Sequence, residues 1–497
     1  MSPWCRSLAA AIALAGAVRT GHAQLIEIRT APVAIGDQFE IFPSQNFGMG
    51  SVTIAIRDSL RDPFTNPALG ARIGRNGRFF SSPTMFSVSH GAGGGRTLPL
   101  GAMGSAGGWF GVLAGAIQQV DPSRPADPFF PVVPLRGTLD IVPQPAPTVS
   151  TPRGYGNNYL FGLMGRRLAA GLSLAGSVSW AGLHGVDGVD MLYAGSQSVD
   201  QRGSALDLRL GLLKEWRGGA SLQAVMLHNR FAMTHDVNYL EAFWDPGRQT
   251  TDFRQRVERN LDRTNTWGAH VAYDRPFVAG WRIGAVATMN HMAHPKIPNY
   301  EIMSIPRDPG FSWAYNLGVG IANRNGDATF AVDAVLEPIW SHTWALDTAG
   351  ARTIDNRFVF TNALVRVGLT HEFPSATPGR SSDIQLGIIV KSTDYRLDQL
   401  NLVERSARAQ LEHWVEWTPT WGFTFRFPTL EFRYRGRSVN GTGRPGVQNG
   451  FPLFERATSV GMTVIAAPSG PMTLEEVKVV THQISVALPL RRVSVVP

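Results

Sequence analysis

Long segments with strict two-residue alternation constrain the fold of this chain more than any other feature. In one of them, apolar Leu206, Leu208 and Leu210 alternate with polar Asp207 and Arg209. Successive side chains of a β-strand point to opposite faces, so such a segment has one apolar and one polar face. Most of the segments are longer than the roughly five or six residues of strands in soluble proteins, and approach the 9–11 residues that a tilted strand needs to cross a bilayer. The pattern predicts an all-β fold, a transmembrane antiparallel β-barrel.

About sixteen segments of this kind follow from Phe79 onward. They lie at residues 79–89, 105–119, 155–166, 171–183, 204–215, 219–231, 265–275, 281–292, 312–323, 327–340, 358–373, 383–395, 405–417, 422–435, 456–466 and 480–490. A closed barrel with an even strand number is expected, because an open sheet edge leaves backbone groups unsatisfied in lipid. A phase change at Phe427-Pro428-Thr429 is interpreted as a bulge or an edge, since proline cannot donate to the ladder. The last strand is expected to stop at Leu490.

Tryptophan residues concentrate near the ends of these segments. They are Trp267, Trp281, Trp313, Trp340, Trp344, Trp414, Trp417 and Trp421. Rings with one polar edge favour the membrane–water boundary, where barrels carry aromatic girdles. The placement supports lipid on one side of the strands.

The first residues, 1–23, have the pattern of a secretory signal peptide. Arg6 precedes the short apolar run Leu8–Val18, and small residues predict cleavage between Ala23 and Gln24. The only cysteine, Cys5, lies before that run, so the mature chain is expected to contain no disulfide. Export predicts a location in the outer membrane of a Gram-negative-type cell, with residues 77–497 as the barrel.

The net charge of +8 is carried almost wholly by arginine, and the arginines are scattered singly. A nucleic-acid-binding protein would cluster Lys and Arg on one face. No nucleic-acid partner is therefore expected.

Residues 24–76 precede the first strand and lack barrel-like alternation. Gly48 and Gly50 permit backbone conformations and close approaches that a Cβ would forbid. Asp58 follows a short amphipathic stretch, and Asn66-Pro67 breaks regular structure. An element of this size fits inside a wide barrel, so we predict that it packs against the inner wall as a plug.

This segment resembles the N-terminal hatch of the FadL-like long-chain fatty-acid transporters. The resemblance is carried by Gly48-Met49-Gly50, the small and apolar run to Ile56, Asp58 and the turn Asn66-Pro67-Ala68. Ser51 departs from the family pattern, which usually has a second glycine there. The resemblance implies a 14-stranded barrel with a lumenal hatch, hydrophobic ligands that leave laterally through the wall, and a gating role for Gly48, Gly50, Asp58, Asn66, Pro67 and Ala68. The strand count is thus expected to be 14–16.

Two long connections are candidates for ligand capture. One, Asp121–Val149, is rich in proline; the other, Thr234–Arg263, contains Tyr239, Phe243 and Trp244. Long loops are usually functional or disordered, and these aromatic residues suggest an apolar contact surface. We predict that they contribute to substrate binding.

Arginines on the polar face of the strands have two interpretations. Arg209, Arg282, Arg366 and Arg408 could bind the carboxylate head group of a ligand, which suits the guanidinium fork. They could equally pair with Asp207, Asp274, Asp333 and Glu412 as structural elements. The sequence favours pairing, and Arg209, Arg282 and Arg366 are kept as candidate substrate-binding residues.

Catalytic and metal chemistry find little support in the sequence. His291 and His294 are three residues apart, but no further ligands accompany them, and interfacial imidazoles at the barrel edge are the simpler interpretation. No nucleophile elbow is evident, although a lipase-type barrel remains an alternative. We expect no enzyme activity, no cofactor and no metal.

The predicted function is passive uptake of hydrophobic solutes, such as long-chain fatty acids or hydrocarbons, across the outer membrane. Two alternatives stay open: a non-transporting barrel that partners periplasmic or secretion proteins in surface assembly, and a general diffusion porin. The expected partners are outer-membrane lipid and hydrophobic small molecules.

Overall fold

The computed structural model describes residues 38–74, 77–91, 93–121, 154–189, 198–245, 247–293, 296–297, 310–346, 349–445 and 474–490. The predicted signal peptide, the predicted strand at 456–466 and nearly all of the proline-rich connection after Asp121 lie outside these ranges. None of the helices in the described ranges combines the length and the hydropathy that a membrane crossing requires.

One antiparallel sheet closes on itself around a lumen. Its first strands are β1 (Arg78–Ser81), β2 (Thr84–Val88), β3 (Gly94–Ala106), β4 (Trp109–Asp121), β5 (Tyr155–Arg167), β6 (Leu172–Leu183), β7 (Ser198–Glu215), β8 (Ser221–Asp245) and β9 (Thr250–Pro276). The others are β10 (Trp281–Ala293), β11 (Lys296–Ile297), β12 (Gly310–Asn325), β13 (Ala328–Leu346), β14 (Arg352–Pro374), β15 (Ser381–Asn401), β16 (Ser406–Arg426), β17 (Glu431–Pro445) and β18 (Leu474–Pro489).

The described strands fill sixteen positions around the barrel. β1 and β2 share one position between β18 and β3 and are interrupted at Ser82 and Pro83. The two-residue β11 pairs with β9 beyond the end of β10. Because every strand has neighbours on both sides, the sheet has no open edge, as lipid requires. Sixteen positions lie within the expected range of 14–16 and exceed the fourteen that the family resemblance implies.

The outer wall carries an apolar belt. Large apolar side chains on it are exposed on strands all around the barrel, and examples are Leu113, Ile117, Leu160, Met164, Leu210, Met226, Leu317, Val319, Leu336, Leu369, Leu386, Val415 and Ile484. An exposed apolar surface of this extent marks contact with lipid. The inward residues of the same strands are polar, small or packed against other lumenal residues.

The two ends of the barrel differ. At one end the strands are joined by tight turns, such as Gly107-Gly108, where both glycines have positive φ. At the other end β8 and β9 run for 25 and 27 residues, far more than a bilayer crossing needs. Short turns are periplasmic and long extensions extracellular in bacterial barrels, so the orientation follows.

Two strand predictions are wrong. The segment 94–106 is a strand, β3, that the sequence did not indicate, because its glycines and Pro99 hide the alternation. Phe427-Pro428-Thr429 is neither a bulge nor an edge but part of a turn between β16 and β17, in which Phe427 N donates to Leu430 O at 2.8 Å. The predicted segment 422–435 therefore spans the end of one strand and the start of the next.

The connection Thr234–Arg263 is also not a loop. Its residues continue β8 and β9 as a paired hairpin that extends above the belt, with Tyr239 opposite Arg256 and Phe243 opposite Asp252. Interstrand hydrogen bonding overrides the polar composition that suggested a loop.

The positions of most of these tryptophans agree with the predicted aromatic girdle. Trp267, Trp340 and Trp417 are exposed on the outer wall, at 60%, 47% and 49%. Trp414 differs from the prediction, because it lies on the lumenal side of β16 and packs against a buried apolar cluster.

Candidate functional site: the hatch in the barrel lumen

Residues 38–74, called the hatch below, lie inside the barrel. They form two 3-10 turns, Phe47–Met49 and Pro67–Arg72, and one short helix, α1 (Asp62–Thr65). Pro63 at the start of α1 suits the first turn of a helix, where a missing N–H costs nothing. These elements are too short to be stable alone, so their packing against the wall must maintain them.

Asp58 organises the hatch. Its side chain is fully buried, and its carboxylate accepts hydrogen bonds from both halves of the segment. The donors are Ser44 Oγ at 2.6 Å, Gln45 N at 2.8 Å, Asn46 N at 3.2 Å, Leu60 N at 3.2 Å and Arg61 N at 3.0 Å. A buried carboxylate is tolerated only when its oxygens are satisfied in this way. Asp58 therefore joins residues 44–46 to the turn that leads into α1.

Gly48 and Gly50 bring the hatch backbone onto the wall. Thr420 on β16 donates through Oγ1 to Gly48 O at 2.9 Å and accepts from Gly50 N at 2.8 Å. Gly50 has φ +69°, and a Cβ there would lie 2.7 Å from Val367 O. Both the backbone angle and the space require glycine at this position.

Facing glycines of the wall receive the hatch. Gly368 on β14 and Gly387 on β15 are register partners, and a Cβ on them would lie 2.1 Å from Met49 O and 2.2 Å from Gly50 N. A second pair, Gly284 on β10 and Gly320 on β12, lies against Ile54 in the same manner. The small residues on the polar faces of these strands thus allow two backbones to touch.

Ser51 occupies the position where the resembled family usually has glycine. Its φ is +53°, its side chain is buried, and its Oγ has no hydrogen-bond partner within the described residues. The left-handed conformation costs a residue with a Cβ about 1–2 kcal/mol. The departure from the family pattern is therefore a strained point of the hatch.

Replacing Ser51 with glycine is expected to stabilise the docked hatch by about 1 kcal/mol, because glycine adopts this φ without strain. The measurement is the rate at which a thiol at the buried position Ala55 reacts with a maleimide, which requires the hatch to open. S51G should slow labelling of an A55C protein about fivefold. S51A keeps the backbone penalty and isolates the contribution of the hydroxyl; labelling that is equally slow in S51A would contradict the strain explanation.

Asn66-Pro67-Ala68 forms the second contact region. The Asn66 side chain caps the following 3-10 turn by accepting from Ala68 N at 3.0 Å. A Cβ on Gly211 of β7 would lie 2.1 Å from Asn66 Oδ1, so this turn also rests on a glycine of the wall. The six predicted hatch residues are all buried; Asp58 lies within the hatch, and the other five lie where the hatch meets the barrel.

The candidate substrate-binding arginines are engaged with protein groups. Arg209 binds Asp207 at 2.6 Å and donates to Thr65 O at 2.9 Å, which ties β7 to α1. Arg282 pairs with Asp274, and its Nη2 also donates to Gly219 O at 3.1 Å. The pairing that the sequence favoured is present for both.

Arg366 and Asp333 form a third pair, and Asp333 binds the hatch. Arg366 Nη1 lies 4.0 Å from Asp333 Oδ2, and the same oxygen accepts from Thr53 N at 2.8 Å. In the fourth predicted pair, Arg408 and Glu412 both hydrogen-bond to Gln410. A ligand-binding role of Arg209, Arg282 and Arg366 stays a prediction.

Three arginines on β17 were not predicted to be part of the site. Arg433, Arg435 and Arg437 alternate on the lumenal face, and all three are buried. Arg437 donates to Glu40 Oε2 at 3.1 Å and lies 4.7 Å above the Phe47 ring, while Arg435 donates to Thr424 Oγ1 at 2.8 Å. The period-two run "RYRGR" could have revealed them, but the predicted strand boundary at 435 divided it.

Asp62 makes the hatch sensitive to pH. Its Oδ2 accepts from Asp58 N at 3.2 Å and lies 3.9 Å from Arg72 Nη1. Burial and the neighbouring Asp58 carboxylate raise the pKa of Asp62 to about 7, against the opposing effect of Arg72. Docking of the hatch therefore favours the protonated carboxyl.

The pH dependence of hatch docking follows from this raised pKa. The stabilisation is complete below the ordinary aspartate pKa and is lost as the pH rises through about 7. Labelling of A55C should thus be faster at about pH 8.5 than at about pH 5.5, after normalisation to a thiol at the exposed position Ser59. D62N should remove most of the difference; an unchanged pH profile in D62N would assign the effect to another group.

Apolar clusters line two regions of the lumen. On β1 and β3–β8 they form what we call the apolar strip, in which Phe80, Phe110 and Phe161 surround Phe42 and Phe64 of the hatch. The strip continues toward the outside through Tyr159, Ala181, Leu183 and Met233, with Ile41 and Phe42 of the hatch in contact. Phe42 and Phe64 stack with ring centroids 4.1 Å apart.

A third apolar cluster, called the outer cluster, lies on the lumenal side of the strand extensions. Its members are Met292, Ala314, Ile339, Phe358, Phe360, Tyr395, Leu397 and Trp414. The sequence signal for it is a change of phase: on β15 most apolar side chains up to Val390 face outward, whereas Tyr395 and Leu397 face inward. The prediction placed the capturing aromatics on Tyr239, Phe243 and Trp244 instead, whose side chains lie outside the described residues.

The polar wall between β8 and β14 leaves a cavity of about 130 Å³ against the hatch. Ile54, Asp62 and Arg72 line it on one side, and Thr288 and Arg366 on the other. Pockets for drug-sized ligands have roughly 300–1,000 Å³. The cavity beside the hatch is therefore too small for such a ligand in this arrangement.

His291 agrees with the interpretation as an interfacial residue. It faces outward on β10, and its ring lies 4.4 Å from that of Trp313. His294 lies outside the described residues, and the described ranges contain no group of three potential metal ligands.

The chain is similar to several solved structures of outer-membrane proteins. A FadL homologue from Pseudomonas aeruginosa is 11% identical, with coverage of 91% of this chain and 99% of that chain and a TM-score of 0.44. The toluene transporter TbuX from Ralstonia pickettii is 9% identical, with coverage of 91% of this chain and 100% of that chain and a TM-score of 0.40. The iron transporter FrpB from Neisseria meningitidis is also 9% identical, with coverage of 85% and 82% and a TM-score of 0.34. No protein-family model and no curated protein sequence matches the chain.

The neighbours thus include a homologue from the family that the hatch motif resembles, and also barrels with other cargo. From its own strands, belt and lumen, the described chain is a closed sixteen-stranded β-barrel of the outer membrane that holds its own N-terminal segment inside.

Proposed function

We propose that the protein is a passive conduit for hydrophobic solutes and that the hatch is its gate. The observation that carries the proposal is the apolar strip. It follows one side of the lumen from the outer part of the barrel to the hatch, and Phe42 of the hatch contacts both of its clusters. A polar solute would gain nothing from such a surface, whereas an apolar one is transferred from water favourably.

In this mechanism the outer cluster first receives the solute on the lumenal side of the extensions. The solute then follows the strip, and the hatch shifts so that Phe42 and Phe64 leave their places. We assign a lateral exit toward the bilayer to the interruption between β1 and β2 at Ser82 and Pro83, next to Phe80 of the strip. No energy source is needed, because the solute moves down its gradient. The FadL homologue and TbuX among the similar structures accord with this cargo class.

The test is entry of a hydrophobic dye into liposomes that contain the purified barrel. Deletion of residues 24–74 should increase entry, since the deletion removes the gate. Unchanged entry would eliminate the gating role. Absent flux together with a co-purifying large partner would select the alternative of a docking barrel, and trimers with steady single-channel conductance would select a diffusion porin.

A point variant tests the route itself. Leu183→Asn places a polar amide in the strip at a fully buried position. It should lower dye entry about tenfold with little change in A55C labelling, because a polar group in an apolar site costs about 1–3 kcal/mol. Thr288→Asn on the polar wall is the matched control, and an equal loss there would contradict the proposed path.

A further inference from the structure

The outer wall carries a cluster of arginines just above the aromatic level of β8 and β9. His228 on β8 and Trp267 on β9 are register partners, and their rings stack with centroids 4.2 Å apart. Below them the outward side chains are apolar, with Met226 61% exposed. This pair therefore marks the boundary between the hydrocarbon and the head groups of the outer leaflet.

Arg230 and Arg263 lie on the next step of the same outward face. Arg230 is opposite Asn265, and Arg263 is opposite Ala232, so the two arginines are diagonal neighbours. Diagonal positions in an antiparallel pair are about 7–8 Å apart, which long side chains bridge easily. Both arginines are exposed, and neither has a hydrogen bond or an ion pair in the part of the chain that the structure describes.

Further arginines lie above this pair. Arg259 and Arg202 both bind Asp236, at 2.7 Å and 3.2 Å. Asp200 on β7, opposite Asp236, accepts from Asn238 at 3.5 Å. Within the described strands, four arginines thus share this face with two carboxylates, and the surplus of positive charge falls on Arg230 and Arg263.

The strand extensions on the other side of the barrel show a different arrangement. On β15, Arg396 binds Asp398 at 2.8 Å, and on β14, Arg352 binds Asp355 at 2.6 Å. Outward arginines there are neutralised by carboxylates of the protein. The unpaired arginines on β8 and β9 are therefore not simply what the extracellular extension of every strand carries.

We propose that Arg230 and Arg263 bind the phosphate group of an anionic lipid in the outer leaflet. Guanidinium groups suit phosphate because two N–H donors match two oxygens, and a cation next to an anionic membrane surface gains about 1 kcal/mol. The acyl chains of the same lipid would lie on the belt below, along Met226 and Val271, with Trp267 at the level of the glycerol or sugar. Continuity between an apolar surface and an unpaired cationic pair selects a lipid over a soluble anion.

The experiment titrates phosphatidic acid, a lipid with a phosphomonoester head group, against the full-length mature protein in neutral detergent and counts bound lipids by native mass spectrometry. R230Q/R263Q should weaken binding about tenfold or more, since two cation–phosphate contacts are lost. R230K/R263K keeps the charge and should retain most of the binding. R396Q, which removes a paired arginine on β15, should leave it unchanged.

Three results would overturn the assignment: equal affinity in R230Q/R263Q, an equal loss in R396Q, or displacement of the lipid by millimolar inorganic phosphate, which would indicate a site for the free anion. Both side chains project from the outer wall, so the variants should stay closed, and heat-modifiable gel migration checks this. If the double variant fails that check, each single variant and R230K/R263K provide the same comparison. The proposal is independent of solute transport, because none of these residues faces the lumen.

Discussion

Replacing Asp58 with alanine is expected to release the hatch from the lumen while the barrel stays closed. The substitution removes a buried carboxylate that accepts from five donors and leaves those donors unsatisfied. Hydrogen bonds to a charged group contribute about 1.5–3 kcal/mol each, so a net loss of about 3 kcal/mol is a low expectation. That loss corresponds to labelling of A55C roughly 150-fold faster, and dye entry should rise with it.

Two comparisons make the Asp58 result specific. Asp58→Asn keeps the size and one acceptor oxygen and should give an intermediate rate. The barrel itself must retain heat-modifiable migration, because Asp58 contacts residues 44–46 and 60–62 and not the strand ladder. If A55C stays as protected in D58A as in the parent protein, Asp58 does not hold the hatch together.

Adding side chains to the facing glycines of the wall is expected to displace the hatch from the opposite direction. In G368A/G387A the new methyl groups would lie 2.1 Å and 2.2 Å from backbone atoms of Met49 and Gly50, a distance that no rotamer change can relieve. Overpacking of this kind costs typically 1–3 kcal/mol at each position. Labelling of A55C should accelerate at least tenfold, and the contact of Thr420 with Gly48 and Gly50 should be lost.

Gly162→Ala on the outer face of β5 is the matched control for this experiment. The nearest atom to a Cβ at that position is a side-chain carbon at 3.8 Å, which is ordinary contact. The control adds the same methyl group to a barrel strand without touching the hatch. Equal acceleration in G162A would mean that the glycines act through strand stability, and unchanged labelling in G368A/G387A would show that the hatch does not rest on them.

Much of the barrel could be predicted because lipid imposes a simple rule on each strand. A residue that faces hydrocarbon must be apolar, and its neighbours in sequence must face the lumen. Leu206–Leu212 and Ile384–Val390 can therefore be recognised as transmembrane strands from the sequence. The rule fails on strands without regular alternation and on strand segments that do not contact lipid. On β3 the inward Pro99 lies between the outward Leu98 and Leu100, so apolar and polar residues do not alternate there. Above the belt water replaces lipid, so the hairpin of β8 and β9 has the composition of a loop.

The presence of the hatch could be predicted from the sequence, but its contacts with the barrel wall could not. Gly48, Gly50, Asp58 and Asn66 stand out in a segment without alternation. Nothing local connects Gly50 with Thr420, or Thr53 with Asp333, because those contacts join residues about 280–370 positions apart. Whether an inward side chain, such as those of the β17 arginines, meets the hatch, a cavity or another side chain likewise depends on which residues lie across the lumen.

The sequence by itself determined that the chain is a barrel and which side of most strands meets lipid, and it set the segment before the first strand apart by its lack of alternation. The alternation depends only on neighbouring residues, because successive side chains of a strand point to opposite faces in any tertiary structure. Only the tertiary structure decided how the lumen is filled: which glycines receive the hatch backbone, which carboxylates hold it, and where the apolar strip runs. Those contacts arise when closure of the sheet brings distant strands around one segment, and close packing then leaves that segment a single place to fit.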